Sequence, residues 1–444
     1  VDTEALVTVA IGDVALIVIA SRLLGAAARR CGQPAVVGQI VAGIALGPTL
    51  LGRLPGDPTA RLFPPDVLPF LTVLSQIAIV LFMFVVGYET DRRQLRRGGG
   101  AAAAVAVAAL LVPAALGAGV VGLFPGAFSA VQPHHADGRV FWLLMAVVMS
   151  VTALPVLAAI VRERGLAGTP AGTVATSAAG LMDVAAWLVL AAALAGTGHA
   201  TARSWPVTLL LLSLFTAALF LLVRPLLARW LERSGALAAH QLTIALGLAL
   251  GSAWVTAELG LHPVFGGLLA GLAMPRPGGV PDAGVLRPME QTAGLLLPLF
   301  FVTTGLSSDV GSLDADGGIL LGLILAVAVS GKLFPGYAAA RISGMDPPQS
   351  AVVAVLVNTR GLTELIVLDV ALDAGVIGPG LFTVLVLMAL TTTFMTGPLL
   401  ALAGRRWGFP PPPEGHPGKH PRKNSVKRRE SYHGKQREGA AESS

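Results

Sequence analysis

Charge is scarce in this chain of 444 residues: 13% of it is Asp, Glu, Lys or Arg, against 54% hydrophobic, with mean hydropathy +0.74. That shortage excludes an ordinary soluble domain and places the chain among polytopic membrane proteins. Cysteine occurs once, at Cys31, which excludes an internal disulfide and a cysteine metal cluster. There is no P-loop, no nucleophile–base constellation and no metal-ligand cluster, so the pattern points away from an enzyme. The net charge of +6 is carried by the tail: Arg405 to Ser444 holds ten Lys/Arg against four Glu. The basic pI therefore implies no nucleic-acid partner. No cleavable signal peptide is evident, and the start VDTEAL reads as the beginning of a mature helix.

What is there is a series of apolar runs, all-α by their length and composition. Thirteen spanning helices are expected, at about 5–27, 34–52, 67–88, 99–123, 140–161, 171–195, 205–231, 238–257, 260–275, 288–306, 317–341, 349–372 and 379–403. With the N-terminus outside, the inner loops hold fifteen arginines and the outer loops four (Arg53, Arg61, Arg139 and Arg203). That bias fixes the expected orientation, N-terminus outside and tail cytoplasmic.

The halves repeat. GQIVAGIALGP at 38–48 is similar to GGLLAGLAMP at 266–275, aligning Gly38, Ala42, Gly43 and Ala45 with Gly266, Ala270, Gly271 and Ala273. FMFVVGYETD at 82–91 is similar to FFVTTGLSSD at 300–309, aligning Phe82, Gly87 and Asp91 with Phe300, Gly305 and Asp309. The matched helices are seven apart, an odd number, so the halves are expected to lie upside down to each other. The fifth and twelfth helices then correspond, and both are interrupted. The fifth contains Ser150-Val151-Thr152-Ala153-Leu154-Pro155, whose proline removes a backbone donor. The twelfth contains Asn358-Thr359-Arg360-Gly361 inside an aliphatic run. Broken helices at corresponding positions mark the binding region of an inverted-repeat carrier.

The rare intramembrane charges come next. Asp183 sits mid-helix in TVATSAAGLMDVAAWLVL (173–190), with Thr176, Ala179, Gly180 and Ala186 on its face. An acid at that depth is either buried in a structural hydrogen bond or functional, and its cost favours function. Lys332 is the single lysine of residues 1–404. About ten residues from Arg341, it lies roughly 15 Å inward, as a snorkelling side chain or a buried partner for an acid. Arg360 and Glu364 are spaced i,i+4 and can face each other; Arg360 either neutralises half-helix carbonyl ends at the crossing or takes part directly in transport, and Glu364 reads as its partner before a second proton carrier. Asp13 is expected near the outer interface, and His262 before Pro263 reads as a helix start.

These motifs resemble the monovalent cation:proton antiporter family 2, of the sodium/hydrogen-exchanger superfamily. The likeness runs over nearly all of 5–403 and leans toward the plant cation/proton exchangers. It rests on AGIALGP (42–48), LFMFVVGYETD (81–91), SVTALPVLAAIV (150–161), SAAGLMDVAAWLVLA (177–191), LPLFFVTTGL (297–306) and VNTRGLTELIVLDVALDAGVI (357–377). The resemblance implies a thirteen-helix inverted repeat with two crossed broken helices, working as a homodimer in lipid. It implies scaffold segments at 1–98 and 236–314, core transport segments at 99–197 and 315–404, and a linker helix at 198–235. The tail 405–444 is polar, Pro-rich and expected to be disordered, and its basic run Lys427-Arg428-Arg429 is placed either against anionic lipid or in solvent. No nucleotide-binding domain is expected after the membrane part.

The resemblance also assigns Asp183 as the ion-binding aspartate, Lys332 as the core lysine and Thr152 as a contributor to the ion site. It departs at Met182, where the family generally has an acid, Asn or Gln. Lys332 is then expected to contact Asp183 itself or backbone carbonyls. The expected chemistry needs no cofactor. A sodium or potassium ion, as substrate, competes with a proton for Asp183, with Thr152 and oxygens of Ser150 to Pro155 as further ligands. An empty ionised site is too costly to carry across, which makes exchange obligatory and, with one carboxylate, electroneutral. The alternatives are an uncoupled cation channel or leak at the crossing, and a solute carrier on the same plan. The second needs specificity groups that 176–187 offers only in Trp187.

Overall fold

The computed structural model describes residues 3–89, 99–129, 138–194, 205–234, 238–276 and 279–407. Among them there is no strand, and the main helices are α1 (Thr3–Arg30), α2 (Ala35–Leu46), α3 (Leu68–Glu89), α4 (Gly99–Leu123), α5 (Gly138–Ser150), α6 (Leu154–Glu163), α7 (Pro170–Leu194), α8 (Trp205–Ala218), α9 (Arg224–Ser234), α10 (Ala238–Glu258), α11 (Pro263–Ala273), α12 (Ala283–Leu306), α13 (Ala315–Ile342), α14 (Pro347–Val357), α15 (Leu362–Asp373) and α16 (Pro379–Trp407). Helix occupies each expected range. Ten of these segments, counting α5–α6, α8–α9 and α14–α15 as one each, are long and apolar enough to cross a membrane. The expected linker helix is divided by a π turn at Leu219–Val223. Of the arginines expected in loops, Arg29 and Arg30 lie on α1, Arg139 on α5, Arg162 on α6, Arg233 on α9, Arg287 on α12 and Arg341 on α13. Asp91, the arginines at 92–97, Arg203 and the side chain of Trp187 fall outside the described residues. So does the expected disordered tail, except that Arg405 to Trp407 complete the last turn of α16.

Starts are set by local chemistry. The side chains of Asp282, Asp314 and Asp346 accept from the backbone N–H of Gly284, Gly317 and Gln349 at 2.6, 2.8 and 2.8 Å. Each satisfies a donor that the first turn leaves free. His262 caps α11 through Nδ1, which accepts from Val264 N at 3.4 Å.

The aligned glycines hold equivalent places. A Cβ on Gly38 would stand 2.2 Å from Leu24 O of the preceding helix, and one on Gly266 2.2 Å from Ser252 O of its own preceding helix. Gly43 on α2 would meet Val302 O of α12 at 2.5 Å, and Gly271 on α11 would meet Phe84 O of α3 at 2.1 Å. Each second helix is thus pressed, backbone to backbone, onto the third helix of the opposite half, which only glycine permits.

The helices sort into two sets. In one, α3 packs on α11 and α12, α10 on α11 and α12, and α1 and α2 on each other and on α12. In the other, α4 packs on α5, α7 and α13, α14 on α7, α13 and α16, and α15 on α16. The two interrupted helices, α5–α6 and α14–α15, belong to the second set and meet at their breaks.

Candidate functional site

A helix that stops inside an apolar bundle leaves its last carbonyls bare and carries a partial negative charge there. At the end of α5, four successive carbonyls are each given a donor. Val147 O accepts from Val151 N and from Ser150 Oγ, both at 2.9 Å. Val148 O accepts from Arg360 Nη1, and Met149 O from Arg360 Nη2 at 2.8 Å. Ser150 O accepts from Lys332 Nζ. Two cations of the C-terminal half therefore close a half-helix of the N-terminal half. Both are fully buried, as is Glu364, whose Oε1 accepts from Arg360 Nη1 at 2.7 Å.

Past the break, the donors face the other way. Thr152 Oγ1 donates to Val357 O at 2.8 Å and accepts from Lys332 Nζ at 2.7 Å. Ala153 N donates to Thr359 O at 3.1 Å, which ties the two breaks together. Leu154 N, the first amide of α6, donates to Asp183 Oδ2 at 3.4 Å. Asp183 is 4% exposed, and its Oδ1 has no protein partner. The carboxylate thus stands at the partially positive start of one half-helix, with one oxygen free. On the opposite break, Thr393 of α16 donates to Arg360 O at 2.6 Å and accepts from Arg360 N at 3.2 Å. Thr359 Oγ1 lies 3.4 Å from Thr396 Oγ1. Gly361 starts α15 at φ 156°, and a Cβ there would meet Val156 Cγ2 at 2.8 Å. The break therefore needs glycine for its conformation and for the crossing.

Three comparisons bear on what such a crossing belongs to. A family model described as "Sodium/hydrogen exchanger, transmembrane" matches residues 15–403. The chain belongs to the sodium/hydrogen exchanger family. It is 34% identical over 403 residues to the Na(+)/H(+) antiporter NhaS4 of Synechocystis, an alignment covering 90% of this chain and 98% of that one. It is 35% identical to Cation/H(+) antiporter 17 of Arabidopsis thaliana and 32% identical to K(+)/H(+) antiporter 1 of Saccharomyces cerevisiae. Those alignments cover 87% and 83% of this chain but 47% and 43% of the relatives, so the chain spans about half their length. Among solved structures, the sodium proton antiporter MjNhaP1 of Methanocaldococcus jannaschii at pH 8 superposes with a TM-score of 0.61 at 15% identity. That match covers 91% of this chain and 97% of that one, and it shows the fold. Membership makes the chain an integral multi-pass membrane transporter, and its relatives support cation/proton exchange.

Within this family member, the residues expected from sequence converge on the crossing, and Lys332 takes the second of its two expected kinds of partner, a backbone carbonyl. Lys332 is turned to Ser150 O and Thr152 Oγ1 and is not hydrogen-bonded to Asp183. Its third contact is Met182 Sδ at 3.9 Å. The Ser150 hydroxyl folds back on Val147 O and its carbonyl is taken by the lysine, so both its oxygens are already engaged. Arg360 and Glu364 pair at the i,i+4 spacing. Pro155 sits in the first turn of α6, where its missing donor costs nothing. Asp13 is buried on α1, 3% exposed, on a helix of the other set. Thr393 and Thr396 were not anticipated. The signal was present as TTTFMT (391–396), four threonines within six residues of an apolar helix.

Proposed function

We propose that this protein exchanges a monovalent cation, Na⁺ or K⁺, for protons by competition at Asp183. The carrying observation is the carboxylate itself: buried, held through Oδ2 by the first amide of α6, and free at Oδ1. A proton or a dehydrated cation gives that oxygen its partner. An empty ionised site leaves an oxyanion unpaired at depth, the state least able to cross. Return therefore requires reloading, and one carboxylate gives one-for-one, electroneutral exchange. Names among the relatives include both Na(+)/H(+) and K(+)/H(+) antiporters, in keeping with either ion. Thr152 is proposed to orient the site while held between Lys332 and Val357.

In the same reading the chain crosses the plasma membrane thirteen times, N-terminus outside, as a homodimer. The set containing α1–α3 and α10–α12 is the scaffold. The set containing α4–α7 and α13–α16 moves against it. The π turn and α9 belong to the linker.

The test uses inside-out vesicles carrying a pH gradient and a fluorescent pH dye. Addition of NaCl or KCl should dissipate the gradient with the wild type and not with Asp183→Asn. Dissipation surviving in the variant would remove the carboxylate from the mechanism.

A further inference from the structure

Apart from Asp183, the oxygens around the crossing are largely committed. The carbonyls of Val148 and Met149 accept from Arg360, and that of Ser150 from Lys332. Those of Val357 and Thr359 accept from Thr152 and Ala153. Met182, beside the carboxylate, offers only a thioether, and it lies 3.9 Å from the lysine ammonium. A dehydrated alkali cation needs several oxygens. One side chain here offers an oxygen and is otherwise unexplained. Asn358 is fully buried, and neither Oδ1 nor Nδ2 has a partner. A buried amide left so costs about 1–3 kcal/mol per group. It is not a distant residue. Its neighbours Val357 and Thr359 hold Thr152 and Ala153, and Leu154, next in line, holds Asp183. Glu364 Oε2 is also without a partner. That carboxylate, however, is already neutralised through Oε1 by Arg360.

We infer that Asn358 Oδ1 is a neutral ligand of the transported monovalent cation, set opposite Asp183 across the two breaks. Nδ2 serves a water of the same shell. The inference rests on the exchange reading above. Asn358 is then a binding and specificity residue, supplying from α14–α15 the hard oxygen that Met182 does not supply from α7. The amide bears no charge and takes no proton in the working range, so it strengthens cation binding without adding a second proton to the cycle.

The test uses the full chain purified in mild detergent. Thermal stabilisation is titrated with NaCl and with KCl against choline chloride at constant ionic strength, alongside exchange in vesicles. The variants are Asn358→Leu, of the same branched shape without polar atoms, Asn358→Thr, which keeps an oxygen, and Asp183→Asn. Asn358→Leu should raise the half-saturating cation concentration at least tenfold in both assays. Its cation-free thermal midpoint should equal or exceed that of wild type, because an unsatisfied amide has been removed. Asn358→Thr should fall between the two. A half-saturation for Asn358→Leu within twofold of wild type overturns the inference. So does a lowered cation-free midpoint shared by both Asn358 variants with half-saturation unmoved. If Asn358→Leu does not fold, Asn358→Ala, which also lacks the oxygen, decides by the same half-saturation criterion. Should Asp183→Asn still bind and exchange, the Asp183 reading itself fails. A silent Asp183→Asn with a normal Asn358→Leu sinks only the role of Asn358.

Discussion

Replacing Glu364 by Leu separates two jobs that Arg360 performs. The guanidinium is fully buried, pairs with Glu364 at 2.7 Å and also closes Val148 O and Met149 O. Without the carboxylate it cannot shed its proton, so a bare buried cation is left. Removing one partner of a buried pair costs about 3–5 kcal/mol, or between about a hundredfold and a few thousandfold in the folded ratio. The double variant Arg360→Met/Glu364→Leu removes both charges, and apolar replacement of a buried pair is often neutral. Here it cannot be, because the double variant uncaps two carbonyls at about 1–3 kcal/mol each. The expected order of thermal midpoints in detergent is wild type highest and the double variant below it. With Arg360→Met completing the cycle, the double variant should lose less than the two single losses added together, showing strong coupling between the sites. Recovery of the wild-type midpoint in the double variant would mean that the carbonyl caps contribute nothing. A Glu364→Leu midpoint equal to wild type would refute the pair as a structural element.

Three other outcomes follow from the same geometry. Clamping the membrane potential with valinomycin should leave the rate of cation-driven proton movement unchanged, and a current reversing at two protons per cation would sink the one-carboxylate cycle. Lys332→Met should lower the thermal midpoint by the equivalent of about 1–3 kcal/mol, since Ser150 O and Thr152 Oγ1 lose their shared donor; an unchanged midpoint would deny the lysine its capping role. Gly271→Ala should cost about 1–3 kcal/mol by forcing a Cβ to 2.1 Å from Phe84 O, whereas Gly119→Ala, with nothing within 4 Å, should be neutral or slightly stabilising. Equal midpoints for the two alanine variants would contradict the close helix contact.

The fold was legible wherever the sequence had to break an apolar rule. Pro155 and Asn358-Thr359-Arg360-Gly361 announced the two interruptions because an aliphatic helix has no other use for them. The aligned glycines announced the repeat because a backbone contact tolerates nothing larger. The Arg360–Glu364 pair was suggested by its i,i+4 spacing, but it forms from the break onto α15, because Arg360 precedes the helix that carries Glu364. Targets of long side chains were not legible. Lys332 has four rotatable bonds, and its spacing does not say whether the ammonium reaches Asp183 or, as it does, Ser150 and Thr152. The Ser150 hydroxyl likewise had a local carbonyl within reach that outcompeted a ligand. The unpartnered amide of Asn358 is visible only when its neighbours' bonds are accounted for.

The cross-half closure of α5 has a consequence for how the molecule is made. Val148, Met149 and Ser150 find their donors 212, 211 and 182 residues further along the chain. Gly43, likewise, finds its packing surface only on α12. A ribosome delivers the N-terminal half first, and for that interval it holds a half-helix with uncapped carbonyls and a glycine groove with nothing in it. The first half is thus a template completed by the second, and its insertion into lipid precedes its stability. Co-synthesis of the two halves as separate polypeptides, cut in the segment joining them, should assemble the native bundle, while the first half alone is left to proteolysis.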